Sequence, residues 1–258
     1  MLNVAGAFDL TGGISSTAGT AVYAPTTAIA VDSLSLTGGT VRIDAPLSSN
    51  AVSVNSSTLT LNGVSSVASL NLASGTLDGT GVVTMAGNGT WGGGLFGGHL
   101  VVPAGRTFTV SAGTKTLGAA TITNDGTLVL LGATVDVSGN GSLVNNGLID
   151  IQGNFALGDF GEGTGTVTIV NSATGTLLTQ PGTTATLGSM VGTRVNPNYV
   201  SFTNSGLIDV RSNIIQFNVG QSGGSEGGQF TNTGTMTVAA GSTLRIAGTF
   251  DPNAGTIQ

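Results

Sequence analysis

The chain has 258 residues, of which 7% are charged and 5% aromatic, and it contains 44 glycines and no cysteine. A hydrophobic fraction of 39% argues against charge-driven disorder, and the lack of cysteine excludes a disulfide framework and thiolate metal sites. The net charge of −6 comes from twelve acidic residues against six basic residues, which are scattered singly. No basic patch for a nucleic-acid partner is therefore expected.

The N-terminal third alternates apolar and small polar residues between glycine-containing turns, a pattern typical of short strands. SLSLTGGTV at 33–41 matches SLNLASGTL at 69–77, which indicates an internal repeat. The opening sequence MLNVAGAFDLTGG lacks a basic segment followed by an apolar core, so we do not expect a secretory signal there. No apolar run is long enough to cross a bilayer, and membrane insertion is not expected.

Two residue types occur only once each, in a glycine-rich region. Trp91 in GNGTWGGG is interpreted as a residue that packs a turn, with a platform for stacking a sugar ring as the alternative. His99 is expected at the surface, because no partner motif for a catalytic or ligand role is visible.

A second repeat runs through the C-terminal half, in TITNDGTLVL, SLVNNGLIDI, TIVNSATGTLL, FTNSGLIDV and FTNTGTMTV. Its asparagines are spaced irregularly, at lengths near one coil of a β-solenoid, and insertions in turns would explain the excess. We expect the asparagines to stack and hydrogen-bond from coil to coil, and the glycines to supply corners of positive φ. The predicted ladder and turn residues are Asn124, Gly126, Asn145, Gly147, Asn204, Gly206, Asn232 and Gly234.

The strands after these corners have a period of two. In GLIDI and GLIDV, Leu148 with Asp150 and Leu207 with Asp209 should face solvent. The core should receive Ile149, Ile151, Ile208 and Val210. Large aromatic residues are expected to disturb the spacing of coils, which would explain why they are scarce.

Catalytic chemistry is not expected, and neither is a cofactor. Asp150 and Asp209 share a repeat position, but they should lie two or more coils apart unless the Asn171 unit is an insertion. Asp159 and Glu162, in the glycine-rich run GDFGEG, are weak candidates for a metal site, because this run lacks the ligand pattern of known calcium loops. Thr-x-Thr pairs leave an ice-binding face open as an alternative, with a regular flat threonine face as its signature.

Another pair of matching segments, PAGRTFTV at 103–110 and AAGSTLRI at 239–246, interleaves with these repeats. Three repeat families on one chain indicate one solenoid domain over 1–258, with more divergent coils at 1–60 and clearer repeats at 61–258. The final FDPNAGTIQ begins like another repeat unit. We therefore expect a segment of a longer chain, or a unit that meets another copy.

GNGTWGGG at 87–94 and the segment VVPAGRTFTVSAGTKTLGAATITNDGTLVL at 101–130 resemble the repetitive passenger regions of filamentous-haemagglutinin-like adhesins and autotransporters of bacteria. The resemblance extends over most of residues 60–258 and concerns composition and rhythm. It implies a right-handed parallel β-helix at the cell surface. The matching letters are Gly89, Thr90, Trp91, Ala104, Gly105, Thr107, Lys115, Thr116, Leu117, Asn124, Gly126 and Thr127.

The sequence thus predicts an all-β parallel β-helix of about ten to twelve coils, at roughly 20 to 26 residues per coil. We expect an extracellular stalk of an adhesin, or a fibre subunit whose copies stack end to end, with a host or cell-surface glycan as a further partner. The alternatives are a carbohydrate-acting β-helix enzyme and an ice- or glycan-binding module.

Overall fold

The computed structural model describes residues 2–4, 12–23, 28–158, 166–188, 200–219, 228–253 and 255–258. Every regular element in these residues is a β-strand, and they contain no helix that could span a membrane. The strands in chain order are β1 Leu2–Val4, β2 Gly13–Ser16, β3 Thr20–Tyr23, β4 Ile29–Leu36, β5 Thr40–Ile43, β6 Leu47–Val54, β7 Ser57–Leu61, β8 Ser65–Leu72, β9 Gly75–Asp78, β10 Val82–Met85, β11 Gly89–Trp91, β12 Leu95–Phe96, β13 His99–Val102, β14 Thr107–Val110, β15 Gly113–Leu117, β16 Thr121–Asn124, β17 Thr127–Leu130, β18 Ala133–Val137, β19 Gly141–Asn145, β20 Leu148–Ile151, β21 Phe155–Gly158, β22 Val167–Asn171, β23 Thr176–Thr179, β24 Thr184–Leu187, β25 Val200–Asn204, β26 Leu207–Val210, β27 Ile214–Val219, β28 Gln229–Asn232, β29 Thr235–Val238, β30 Thr243–Asp251 and β31 Thr256–Ile257.

Strands pair in parallel with their equivalents one coil before and one coil after, which builds a solenoid with three faces. Face 1 contains β10, β13, β16, β19, β22, β25 and β28. Face 2 contains β11, β14, β17, β20, β23, β26 and β29. Face 3 runs from β1 through β3, β5, β7, β9, β12, β15, β18, β21, β24 and β27 to β30.

In the N-terminal coils, one long strand serves two faces. β8 pairs with β10 through Ser65–Val67 and with β11 through Leu70–Leu72. β4 and β6 stack on β8 in the same bent form. Within the described residues, ten coils therefore have strands on all three faces, the first formed by β4 and β5 and the last by β28, β29 and β30. The predicted parallel β-helix of about ten to twelve coils is confirmed.

Coil length rises from the N-terminal coils to the coil between Asn171 and Asn204 and then falls again. Stacked residues in the N-terminal coils, such as Asp44 and Asn62, are 18 residues apart, whereas the ladder asparagines Asn171 and Asn204 are 33 apart. The coils that look divergent in sequence are thus short and regular in register. In the long coils the extra residues fall in the connections from β21, β24 and β27 to the next strand of face 1. Most of the length variation therefore falls at one corner, and the other two corners vary by only about two residues.

Alternate residues of each strand point into the lumen and form apolar columns along the axis. Leu34, Val52 and Leu70 stack in register on three successive coils, and all three are buried. The motif copies at 33–41 and 69–77 are thus two coils apart, with residues 51–59 between them. Ile149, Ile151, Ile208 and Val210 also lie in this core, as the period of two predicts.

Aromatic rings lie inside the solenoid, and the expectation that they disturb coil spacing is wrong. Phe202 and Phe230 stack face to face on successive coils, with centroids 5.2 Å apart and an interplanar angle of 5°. Phe217 packs edge-on against both, at 4.8 and 4.7 Å. The spacing of stacked aromatic rings in van der Waals contact is compatible with a rise of about 4.8 Å per coil. Stacked rings therefore preserve the repeat.

The matching segments 103–110 and 239–246 do not occupy the same position in their coils. The first leads into β14 on face 2, and the second leads into β30 on face 3. They share a tight turn in which Arg106 N donates to Pro103 O and Ser242 N donates to Ala239 O, both over 3.0 Å. Gly105 and Gly241 have φ values of 76° and 82°. This motif therefore encodes a corner, whichever face follows.

Candidate functional site

The most distinctive site is a ladder of asparagine side chains inside the corner between face 1 and face 2. Each asparagine is the last residue of a face 1 strand, and each side chain points inward, because it continues the buried register of that strand. The ladder contains Asn124, Asn145, Asn171, Asn204 and Asn232, all with no exposed surface. Asn171 is a full member, so its unit is a coil and no insertion.

Neighbouring ladder residues are joined amide to amide. Nδ2 of Asn124 donates to Oδ1 of Asn145 over 2.7 Å, and the same 2.7 Å bond joins each later pair. The second amide hydrogen is directed at backbone carbonyls of the same corner and of the equivalent corner on the next coil. Asn145 Nδ2, for example, donates to the carbonyl of Thr176 on the next coil over 3.1 Å. The ladder therefore satisfies its own buried amide hydrogens and gives corner carbonyls a second donor: the Gly147 oxygen, for example, accepts from both Thr176 N and Asn145 Nδ2.

The four glycines predicted at this corner act differently from the prediction. Gly126, Gly147, Gly206 and Gly234 lie outside the left-handed region, so positive φ is not their role. They are needed for space: a Cβ on Gly147 would overlap the Gly126 carbonyl oxygen, and one on Gly206 would overlap that of Gly175. Glycine lets successive corners approach closely enough for the asparagines to bond.

The N-terminal end of the ladder carries an orphan acceptor. Asn124 pairs in register with Val102 of the preceding coil, which offers no side-chain donor. Oδ1 of Asn124 is buried and has no hydrogen-bond partner among the described residues. The ladder is therefore directional, with amide donors facing the C-terminal coils.

Lys115 is buried, although it was not predicted as a core position. It is 1% exposed, and its Nζ donates to the carbonyl oxygens of Ser111 and Ala112 over 2.6 and 3.2 Å. Burial lowers the pKa of this ammonium below its ordinary value. Its inward position was readable from period two, since Thr114 and Thr116 face outward and Leu117 faces inward. The lysine thus caps carbonyls at a corner that has no ladder asparagine.

Asp150 and Asp209 lie on the outer side of face 2, but they do not meet, and the prediction that Asp150 faces solvent is wrong, because it is only 9% exposed. Leu178 of the intervening coil stacks between them. The Asp150 carboxylate accepts one 2.7 Å bond from Gln152 and another from Gln180. Asp209 forms a 2.6 Å ion pair with Arg211. Each carboxylate therefore has its own local partners, and the two do not form a shared acid–base site.

Trp91 cannot serve as a sugar platform, because its ring is buried; this alternative is wrong, and the residue packs a turn. The indole is 2% exposed and lies 5.8 Å from the Phe96 ring, between ring centroids. Its Nε1 donates to the Gly93 carbonyl over 3.0 Å. The glycines after Trp91 form the turn that it fastens, and its ring faces the lumen.

The metal candidates Asp159 and Glu162 lie outside the described residues. Within the described ranges, no group of three or more His, Cys, Asp or Glu side chains could hold a metal ion. His99 is half-buried at the start of β13, on the outer side of face 1.

The Thr-x-Thr pairs are distributed over the three faces. Thr58 and Thr60 lie on face 3, whereas the pair at 121 and 123 lies on face 1. The pairs at 107 and 109 and at 235 and 237 lie on face 2. These pairs therefore do not stack into one regular threonine face.

Comparison with protein-family models, with characterised proteins and with solved structures finds no match for this chain.

We predict that Asn171→Ala lowers the free energy of unfolding by about 2–4 kcal/mol, because it removes an acceptor from Asn145 and a donor from Asn204 inside the core. Chemical denaturation followed by circular dichroism measures this loss. The matched control is Asn146→Ala, whose side chain bonds Asp125 on the outside of the same corner. Equal losses for the two variants would contradict a special role for the buried ladder.

A second prediction separates space from backbone conformation. Gly147→Ala should cost at least about 2 kcal/mol, because the new methyl group meets backbone atoms of the preceding coil. Gly105→Ala should cost only about 1 kcal/mol, since its φ is positive but no atom lies within 4 Å of the added Cβ. The denaturation midpoints of the two variants give the ranking, and the reverse order would refute the spatial explanation.

Proposed function

We propose that the chain is a structural segment of an extracellular bacterial surface protein, which works as a stiff stalk of an adhesin or as a fibre subunit. The observation that carries this proposal is the unbroken parallel stack, in which every coil bonds to the next through its backbone on three faces. At about 4.8 Å per coil, ten coils form a rod roughly 50 Å long.

Stiffness follows from how the rod is held together. Bending would open backbone hydrogen bonds on one face, and it would also stretch the buried asparagine bonds at 2.7 Å. A support of this kind needs no chemical group at its surface. The resemblance to adhesin and autotransporter passenger regions favours the cell surface as its location.

The C-terminal end of the described rod favours association with further coils. In the last described rung, Leu244, Ile246 and Phe250 are only partly buried against the core, and Ile257 is 54% exposed. The outer edge of this rung carries free strand backbone, which is a template for another parallel strand. Another rung, from a second copy or from the same polypeptide, would complete this layer.

Electron microscopy of the purified chain over a concentration series tests the proposal. A fibre subunit gives filaments with an axial repeat near 50 Å, estimated from about 4.8 Å per coil. A stalk segment gives short rods of that length at every concentration. Compact particles with no long axis would overturn both forms of the proposal.

Matched variants locate the contact if filaments form. Ile257→Lys places a charge on the last rung and should shorten the filaments. Val64→Lys places the same charge on the side of the rod, at a residue that is 65% exposed, and should leave filament length unchanged. Filaments that respond only to Val64→Lys would show that the rods associate through their sides.

A further inference from the structure

The lumen of the solenoid contains a cavity of about 60 Å³ in its middle coils. Ser142 is among its lining residues but contributes no polar surface, and the remaining wall is built from apolar side chains of all three faces, among them Ile122, Leu128, Val135 and Leu157. Trp91 lines the cavity at its N-terminal end, and Phe202 lines it at its C-terminal end. The space therefore lies between two aromatic layers.

The packing of individual side chains agrees with this cavity. Ile122, Phe155 and Leu157 each keep 6% of their surface accessible, although they point into the core. In the coils from β5 to β12, by contrast, the buried hydrophobic side chains keep only 0–3%, and Ile43 keeps none. The middle coils are thus less completely filled than the coils before them.

The cavity has a cause in the sequence. The N-terminal coils repeat every 18 residues, whereas Asn124 and Asn145 in the middle are 21 apart, which enlarges the perimeter of the coil. In the later coils Phe202, Phe217 and Phe230 occupy the lumen. Between Phe108 and Phe202, Phe155 is the one phenylalanine among the described residues, and aliphatic side chains fill the rest. The inward side chains of the wider coils therefore have too little volume to fill the lumen.

A space of this kind holds an apolar guest in preference to water. One water needs roughly 10–15 Å³ and also needs polar partners, which this wall does not offer. Apolar cavities of about 150 Å³ stay dry and take up benzene or xenon. We propose that the lumen between Trp91 and Phe202 is a binding site for a small apolar molecule, a monatomic gas or a hydrocarbon smaller than benzene.

Xenon is the probe that tests this site. Methyl resonances of Leu128, Ile149 and Leu157 should shift in proportion to xenon pressure and then saturate. Those of Leu34 and Leu36, in the fully packed N-terminal coils, should not shift. Equal shifts in both groups, or none in either, would overturn the proposal.

Leu143→Phe provides the filling variant. Leu143 lines the cavity and lies in the column that continues through Ile169 to Phe202 and Phe230, where the chain already accommodates phenylalanine. Xenon-dependent shifts should disappear in this variant and persist in Val144→Phe, which adds the same ring on the outside of face 1. Unchanged shifts in Leu143→Phe would place the xenon elsewhere.

Leu128→Ala provides a second test of the site if the Leu143→Phe variant does not fold. Removal of this side chain enlarges the same space, so the variant should bind benzene as well as xenon. Benzene binding that equals that of the native chain would contradict the assigned position. These outcomes do not depend on rod or filament formation, and the site and the proposed function can therefore fail separately.

Discussion

The bond between the amide of one buried asparagine and the carbonyl oxygen of the next is the interaction on which the corner between faces 1 and 2 depends. It repeats at 2.7 Å over five coils, which requires equal rise and exact register at that corner. An amide buried without a partner costs about 1–3 kcal/mol, so a coil out of register would lose this bond and bury an unpaired group. A shift in register between coils therefore costs more free energy with the ladder than it would with apolar columns alone.

Several other features follow from this constraint. The corner backbones must approach closely, and glycines 126, 147, 206 and 234 are the residues that allow it. The longest coils take up most of their extra residues at the corner after face 3, and the corner after Asn171, which has four residues instead of two, still keeps its ladder bonds. Corners without a ladder asparagine are built differently. In the N-terminal coils a bent strand continues through the corner, and at another corner the Lys115 ammonium binds backbone carbonyls.

Much of the fold was predictable because its signals are local and repeated. Alternation in GLIDI and GLIDV identifies the buried residues, and the aligned asparagines predict a ladder. The role of the corner glycines was mispredicted, because the sequence alone cannot separate a residue that needs positive φ from one that must leave room for the next coil. That distinction depends on a neighbour about twenty residues away.

Trp91 and Lys115 are two residues whose burial could not be predicted from the composition of their surroundings. Glycine-rich surroundings suggest an exposed loop, yet the Trp91 ring turns into the lumen and packs near Phe96. A charged side chain suggests the surface, yet Lys115 is buried because three carbonyl groups converge on its Nζ. Composition predicts the average environment of a residue, whereas these positions are set by contacts within and between coils. The cavity could not be predicted from the sequence either, because it arises from a mismatch between the perimeter of the coil and the volume of its inward side chains.

Hydrogen exchange of the asparagine side-chain amides is the most direct test of this explanation. If the ladder is buried and continuous, the Nδ2 protons of Asn145, Asn171 and Asn204 exchange only as the solenoid unfolds, while those of the exposed Asn50 exchange rapidly. Rapid exchange of the ladder amides in the folded chain would contradict it, because the corner would then be open to water and another interaction would have to set the register.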